Sequence, residues 1–130
     1  MEVKFTVLGV PKGKGRPRFT RTGRTYTPKD TILYENLVAT SYSGGKLEGD
    51  LAAKIVCYFP IPASTTKKKR ELMLTEEVYY NHKPDLDNLA KIILDSLNGI
   101  AFDDDRQVVR LEVAKFYSDR PRAEIWLTEI

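Results

Sequence analysis

The chain contains 130 residues, the length of one ordinary protein domain. Apolar residues make up 42% and charged residues 30%, a composition typical of soluble globular proteins rather than of disordered or membrane proteins. The formal net charge of +3 singles out no class of partner, and the single cysteine, Cys57, excludes an internal disulfide. No apolar run approaches the roughly 18 residues of a membrane span, and the N-terminus does not match a signal peptide. We expect a cytoplasmic protein with one domain, residues 1–130, and no membrane partner.

The predicted elements alternate between strands and helices. In chain order, periodicity predicts a strand at 2–10, a basic loop at 11–26, a helix that begins at Pro28 and ends at Gly44-Gly45, a strand at 50–59, a short helix at 64–75, a helix at 87–97, and strands at 107–117 and 122–129. Thr27 is the expected N-cap of the first helix. The last two strands are predicted to form a hairpin through a turn at 118–121. This order predicts an α/β (α+β) fold, with a small mixed sheet of about four strands covered by two to three helices.

The two longer helices each have a predicted apolar face. In the first helix this face consists of Leu33, Tyr34, Leu37, Val38 and Tyr42. In the helix at 87–97 it consists of Leu89, Ile92, Ile93 and Leu97. We expect both faces to be buried.

Basic residues are concentrated in two segments. Seven bases and no acid lie between residues 12 and 29, with Phe19 and Tyr26 among them, and a second run follows at 67–70. Bases with interleaved aromatic residues are typical of a strip that binds a nucleic-acid backbone, and a merely solvated surface is the alternative. The residues assigned to DNA contact are Lys12, Lys14, Arg16, Arg18, Arg21, Arg24, Lys67, Lys68, Lys69, Arg70 and Lys83.

An acidic segment lies where an extended stretch meets the helix at 87–97. Asp85 and Asp87 are two residues apart and are expected to project to the same side, while Lys91 lies four residues after Asp87 on one helical face. Helix capping, and a surface ion pair between Lys91 and Asp95, are the structural alternatives. A helix needs only one cap, however, and two neighbouring carboxylates repel each other unless a cation lies between them. The surplus of acids favours a metal site.

A third acidic ligand is expected from the run Asp103-Asp104-Asp105, which precedes the strand at 107–117. A solvated acidic loop is the alternative. Hard cations such as Mg²⁺ bind through carboxylate oxygens, water and substrate phosphate, which suits these residues. His82 is the single histidine, so zinc chemistry and a catalytic triad are not expected.

The pattern Asp85-Leu86-Asp87-Asn88-Leu89-x-Lys91, followed by Asp95, Asn98-Gly99-Ile100 and Asp104-Asp105-x-Gln107-Val108, resembles the RusA family of Holliday-junction resolvases. The resemblance is close over residues 83–115 and looser over the opening strand and the basic loop, where Arg16-Pro17-Arg18 is similar to phage-type relatives. It implies a RusA-like domain and a Mg²⁺-dependent endodeoxyribonuclease, with Mn²⁺ as a substitute, that acts as a homodimer on four-way DNA junctions.

The same resemblance implies roles for individual residues. The metal ligands would be Asp85, Asp87 and Asp105, with Asp104 as a further candidate, and the active-site lysine would be Lys91. Some family members carry arginine immediately before the first aspartate, where this chain has Pro84 preceded by Lys83. Which base contacts the scissile phosphate is therefore left open.

Two other functions fit parts of the sequence. A non-catalytic basic DNA-binding module would use the acids only as caps and solvated turns. A small Mg²⁺-dependent phosphohydrolase would use a DxD nucleophile, although such acids usually follow a strand of a larger parallel sheet. The three functions differ in their products: the nuclease would leave strand breaks, the phosphohydrolase would release free phosphate, and the DNA-binding module would bind DNA without changing it.

Overall fold

One of the two inner strands of the sheet, residues 51–60, is its most apolar segment. The structure is a computed structural model that describes residues 1–15 and 17–130. In chain order its elements are β1 (Glu2–Leu8), β2 (Arg18–Phe19), β3 (Thr25–Tyr26), α1 (Lys29–Ser41), β4 (Leu51–Pro60), α2 (Lys67–Leu74), α3 (Leu86–Leu97), a short 3-10 turn (Asp105–Gln107), β5 (Val108–Ser118) and β6 (Arg122–Glu129). Every second side chain of β4, from Leu51 to Phe59, is at most 4% exposed. Such a strand is stable only with a neighbour on each side and helices over its core face.

The main sheet has four strands in the order β1-β6-β4-β5. β4 pairs in parallel with β5 and antiparallel with β6, and β6 pairs antiparallel with β1. β2 and β3 form a separate two-stranded hairpin inside the predicted basic loop. The mixed four-stranded sheet with three helices confirms the predicted fold class.

The predicted hairpin between the last two strands is wrong. β5 and β6 occupy the predicted segments, but β4 lies between them: Tyr58 is in register with Arg122, and Pro60 is in register with Ser118. The turn after Ser118 therefore crosses over the end of β4. The physical reason is that β4 is the most apolar strand, so it takes an inner position between β5 and β6, where a β5–β6 hairpin would have left it no place.

The helices lie close to their predicted positions, with two corrections to α1. In α3 the predicted face of Leu89, Ile92, Ile93 and Leu97 is fully buried. α1 begins one residue later than predicted, with Pro28 in the N-cap position, and it ends at Ser41. Its buried stripe is narrower than predicted, because Leu33 and Leu37 are 56% and 41% exposed. Thr31 takes a buried place beside Tyr34 and Val38 instead, since residues three and four positions apart share a helical face. Within the described ranges, no helix is long and apolar enough to cross a membrane.

Candidate active site

The start of α3 presents two exposed carboxylates. Asp85 occupies the N-cap position with an extended backbone, and Asp87 lies in the first helical turn. Within residues 1–15 and 17–130, the Asp85 side chain accepts no capping hydrogen bond. The capping alternative is therefore not realised at Asp85, and its carboxylate is available to a ligand.

Asp85 lies between two open grooves. The first has a volume of about 580 Å³ and is lined by Gly13, Lys14, Lys83, Pro84 and Asn88 besides Asp85. The second has a volume of about 800 Å³ and includes Asp87, Leu86, residues 79–81 and residues 113–115 of β5. Asp85 is thus accessible from two sides, and Asp87 is accessible from the second groove.

The segment before α3 is held by a lysine from β5. The Nζ atom of Lys115 donates hydrogen bonds to the carbonyl oxygens of His82, at 2.6 Å, and Pro84, at 2.8 Å. The hydroxyl of Tyr80 donates to the carbonyl oxygen of Lys83 at 3.1 Å. Sequence reasoning missed both residues. A lysine at an inward-facing position of an alternating strand is the signal that could have identified Lys115.

The three acids at 103–105 have three different environments. Asp103 forms an ion pair of 2.6 Å with Lys46. Asp104 caps the 3-10 turn: its Oδ1 atom accepts from the backbone N–H of Arg106 at 2.9 Å, and this bond lowers the pKa of Asp104. Asp105 lies beside Asp95 of α3, and its backbone N–H donates to the side-chain oxygen of Asn98 at 2.8 Å.

Asp95 and Asp105 form a pair of like charges. Partial burial raises the pKa of Asp105, and the neighbouring carboxylates of Asp95 and Asp104 raise it further, while Asn98 acts in the opposite direction. The predicted set did not include Asp95 as a ligand. Asp95 follows Asp87 by eight residues, or about two helical turns. This spacing could have indicated that the two acids lie along the same side of α3.

The predicted metal ligands lie towards opposite ends of α3. Asp87 and Asp95 are eight residues apart, which corresponds to a rise of about 12 Å along the helix axis. Asp105 accompanies Asp95, whereas Asp85 accompanies Asp87. Among the described residues, no group of three histidine, cysteine, aspartate or glutamate side chains is arranged to hold a metal ion. The chain thus brings together Asp85 with Asp87 and Asp95 with Asp105, but not the three predicted ligands.

Lys91 lies between these two acidic positions on α3. It is exposed, and in the described part of the chain it forms no ion pair with Asp87 or Asp95. The predicted surface pair with Asp95 is therefore absent from this part of the structure. The ammonium group of Lys91 is available to an anionic ligand.

Most of the bases assigned to DNA contact are exposed. They are Lys12, Arg18, Arg21, Arg24, Lys67, Lys68, Lys69 and Lys83. Arg70 is half-buried, and Arg16 lies outside the described residues. Lys14 differs from the others, because its Nζ atom lies 2.8 Å from Glu35 and 3.4 Å from Asp95. Burial acts to lower the pKa of Lys14, but the two carboxylates outweigh this effect and raise it.

These features define an α/β protein whose exposed acids and bases suit work on a phosphodiester. A model of the RusA family, described as endodeoxyribonuclease RusA, matches residues 9–128. The chain belongs to this family, which confirms the resemblance predicted from the sequence. A similar protein is the uncharacterized protein YqaN of Bacillus subtilis (strain 168). The two sequences are 36% identical over a match 137 residues long, gaps included, which covers 98% of this chain and 96% of YqaN. Membership in the family implies endonuclease activity of the Holliday-junction resolvase type, with branched DNA as the partner.

Proposed function

We propose that the protein is a Mg²⁺-dependent crossover junction endodeoxyribonuclease that resolves four-way DNA junctions by paired phosphodiester hydrolysis. The observation that carries this proposal is the pair of exposed carboxylates, Asp85 and Asp87, at the start of α3. Neither is neutralised by an ion pair among the described residues, and Asp85 serves no capping role there. Acids that are not needed to complete the fold are candidates for chemistry.

The donor atoms of this pair fit a hard divalent cation. Mg²⁺ binds through one or two carboxylates and retains water and substrate phosphate as further ligands, and Mn²⁺ accepts the same oxygen donors. When bound, the metal ion supplies a Lewis acid that lowers the pKa of a bound water and offsets charge on the phosphodiester. Asp85 and Asp87 would hold it, while the exposed ammonium of Lys91 would offer positive charge to the phosphate.

Asp105 is the member of the acidic run that best fits a third ligand. Asp104 is committed to capping the 3-10 turn, and Asp103 is paired with Lys46. Asp105 lies next to the carboxylate of Asp95, and a nearby cation would relieve the repulsion between the two acids. We therefore assign the third ligand to Asp105 and give Asp104 a structural role.

A two-fold dimer would bring Asp105 to the carboxylate pair. β5 is an edge strand that begins just after Asp105 and passes the groove of Asp87 at residues 113–115, and near its C-terminal end the backbone N–H of Tyr80 already donates to the carbonyl oxygen of Lys115. Its edge carries Val109 and Leu111, which are 56% and 49% exposed. If two β5 strands pair antiparallel around a two-fold axis along residues 108–114, the start of one strand lies beside residues 113–114 of the other. Asp105 of one protomer would then approach Asp85 and Asp87 of its partner.

The exposed bases would hold the DNA arms through the phosphate backbone. Contacts of this kind favour the shape of the branched substrate over its sequence. The β2–β3 hairpin carries Arg18, Arg21 and Arg24, and the first turn of α2 carries Lys67, Lys68 and Lys69. Paired cuts in two strands need two active sites, which a homodimer provides.

The decisive experiment is a nicking assay on a synthetic four-way junction with and without a chelator. We expect cleavage with Mg²⁺ or Mn²⁺, none after chelation, and none with Asp85→Asn, which should still bind the junction. Asp119→Asn, an exposed acid in the turn between β5 and β6, is the matched control and should cleave like the unmodified protein.

The outcome separates the proposal from its alternatives. Junction binding without strand breaks under any metal condition would indicate a non-catalytic DNA-binding module. Release of free phosphate without strand breaks would indicate a phosphohydrolase. Equal cleavage of linear duplex and junction would contradict the proposed selectivity, and full activity of Asp85→Asn would contradict the assignment of the site.

A further inference from the structure

We propose that Lys14 is a positioning residue of the active site rather than one of the DNA-contacting bases. Its ammonium group ties the segment 13–15 to α1 and α3 and offsets the charge of Asp95 beside Asp105. This inference rests on the function proposed above. It removes one base from the predicted DNA-binding strip and gives it a role in the arrangement of the acids.

The contacts of Lys14 point inward. Its side chain is 24% exposed, with Nζ 2.8 Å from Oε2 of Glu35 on α1 and 3.4 Å from Oδ2 of Asp95 on α3. Its backbone N–H donates to the carbonyl oxygen of Asn88 at 3.1 Å. An ammonium group has three protons, and two carboxylates within 4 Å leave little of it for a phosphate.

Two glycines let the chain lie close enough for these contacts. A Cβ atom on Gly13 would lie 2.8 Å from Cβ of Pro84, and one on Gly15 would lie 2.5 Å from Oγ1 of Thr31. The Gly15 backbone N–H donates to that same Oγ1 atom at 3.1 Å, and Thr31 is 3% exposed. The segment 13–15 is therefore packed between α1 and the start of α3. From there the Lys14 side chain reaches Glu35 on α1 and Asp95 on α3.

The charges around Lys14 explain why a cation is needed there. Glu35, Asp95 and Asp105 form a row of acids that extends from α1 to the 3-10 turn, and Lys14 is paired with the first two. Without the ammonium group, Glu35 and Asp95 would repel each other across the helix interface. Asp95 would shift, and Asp105, whose side chain neighbours it, would lose its fixed position.

The neighbouring Lys12 provides a matched control. It belongs to the same segment, but it is exposed and forms no ion pair in the described ranges. A lysine that contacts a phosphate contributes to the salt dependence of DNA binding, and its loss lowers the slope of log K against log salt concentration by about 1. A lysine that only positions acids leaves this slope unchanged.

The experiment compares Lys14→Met with Lys12→Met. The salt slope is measured on a four-way junction without metal, and the single-turnover cleavage rate is measured at saturating DNA with Mg²⁺. For Lys14→Met we expect an unchanged slope and a cleavage rate reduced about 10- to 100-fold, the cost of misplacing a reacting group. For Lys12→Met we expect a slope reduced by about 1. Lys14→Arg should retain most of the rate, because it keeps the charge.

Each result decides the question. A slope that falls by about 1 for Lys14→Met would show a phosphate contact and overturn the inference, as would a cleavage rate equal to that of the unmodified protein. If Lys14→Met does not fold, Lys14→Gln, which removes the charge but keeps a hydrogen-bond donor, takes its place under the same criteria. If the unmodified protein binds the junction without cutting it, the proposed function fails, while the salt slope still decides whether Lys14 contacts phosphate.

Discussion

Asp103, Asp104 and Asp105 follow one another in the chain, but their carboxylates have different partners. Lys46 binds the first, the N–H of Arg106 binds the second, and the third lies against Asp95. Only the third is packed against the carboxylate of another element of the fold. At the scale of single residues, the useful distinction between neighbouring acids is therefore what already neutralises each one, a property that depends on residues distant in sequence.

This distinction predicts different effects for two equivalent substitutions. Asp105→Asn should abolish junction cleavage and retain junction binding, whereas Asp103→Asn should cleave like the unmodified protein. The pKa of Asp105 is raised in the folded state, so its stabilising contribution is present at low pH and is lost as the pH rises through that pKa. At pH 7 the Asn variant should therefore unfold at the same or a higher temperature. A nicking assay and a thermal melt test both statements, and a cleaving Asp105→Asn variant would contradict the ligand assignment.

At the scale of elements, the start of α3 depends on other parts of the chain. The apolar stripe of α3 fixes which face is buried, and the sequence pattern predicted that face correctly. The approach of the chain to Asp85 is fixed instead by Lys115 on β5 and by Gly13 and Asn88 in the groove. These contacts join residues that are distant along the chain, and periodicity carries no information about them.

Lys115→Met should therefore weaken catalysis by releasing the carbonyl groups of His82 and Pro84. We expect the cleavage rate at saturating DNA to fall about 10- to 100-fold, because the carboxylate pair loses its fixed geometry. Two charge-assisted hydrogen bonds are lost, so unfolding should also become easier by about 1–3 kcal/mol.

The control for this substitution is Lys54→Met. Lys54 lies on β4 with its side chain on the opposite face of the sheet, where it pairs with Glu112 at 3.6 Å in an exposed ion pair worth about 0–1 kcal/mol. It should leave cleavage unchanged. Equal rates for Lys115→Met and Lys54→Met would show that Lys115 does not position the site.

At the scale of the whole molecule, the sequence predicted local structure well and connectivity less well. The strands and helices lie close to the predicted segments, because alternation and helical periodicity are properties of neighbouring residues. The β5–β6 hairpin was wrong because the choice of strand partner is made by burial across the sheet, which places β4 between them. The short β2–β3 hairpin was missed, since its basic sequence has no apolar alternation.

For the candidate site too, local placement could be predicted from the sequence, whereas contacts between distant segments could not. Asp85, Asp87 and Lys91 are within seven residues of one another, and their common position at the start of α3 could be predicted from spacing alone. The separation of Asp105 from them could not be predicted, because it depends on the direction in which β5 runs relative to α3. Sequence alone therefore indicated the right kinds of residue but not which of them share one chain's site.

Mixed dimers test whether two protomers build each active site. Asp85→Asn and Asp105→Asn chains are unfolded, mixed and refolded together, and nicking of a four-way junction is then measured. If Asp105 of one protomer joins Asp85 and Asp87 of its partner, a mixed dimer contains one site with all three acids and one site that lacks two of them. The mixture should regain single nicks without paired cuts, although each variant alone is inactive. If each chain builds its own site, every site lacks one acid and the mixture stays inactive. Asp85→Asn mixed with Asp87→Asn is the control, because both substitutions affect the same side of the interface and neither arrangement restores an intact site.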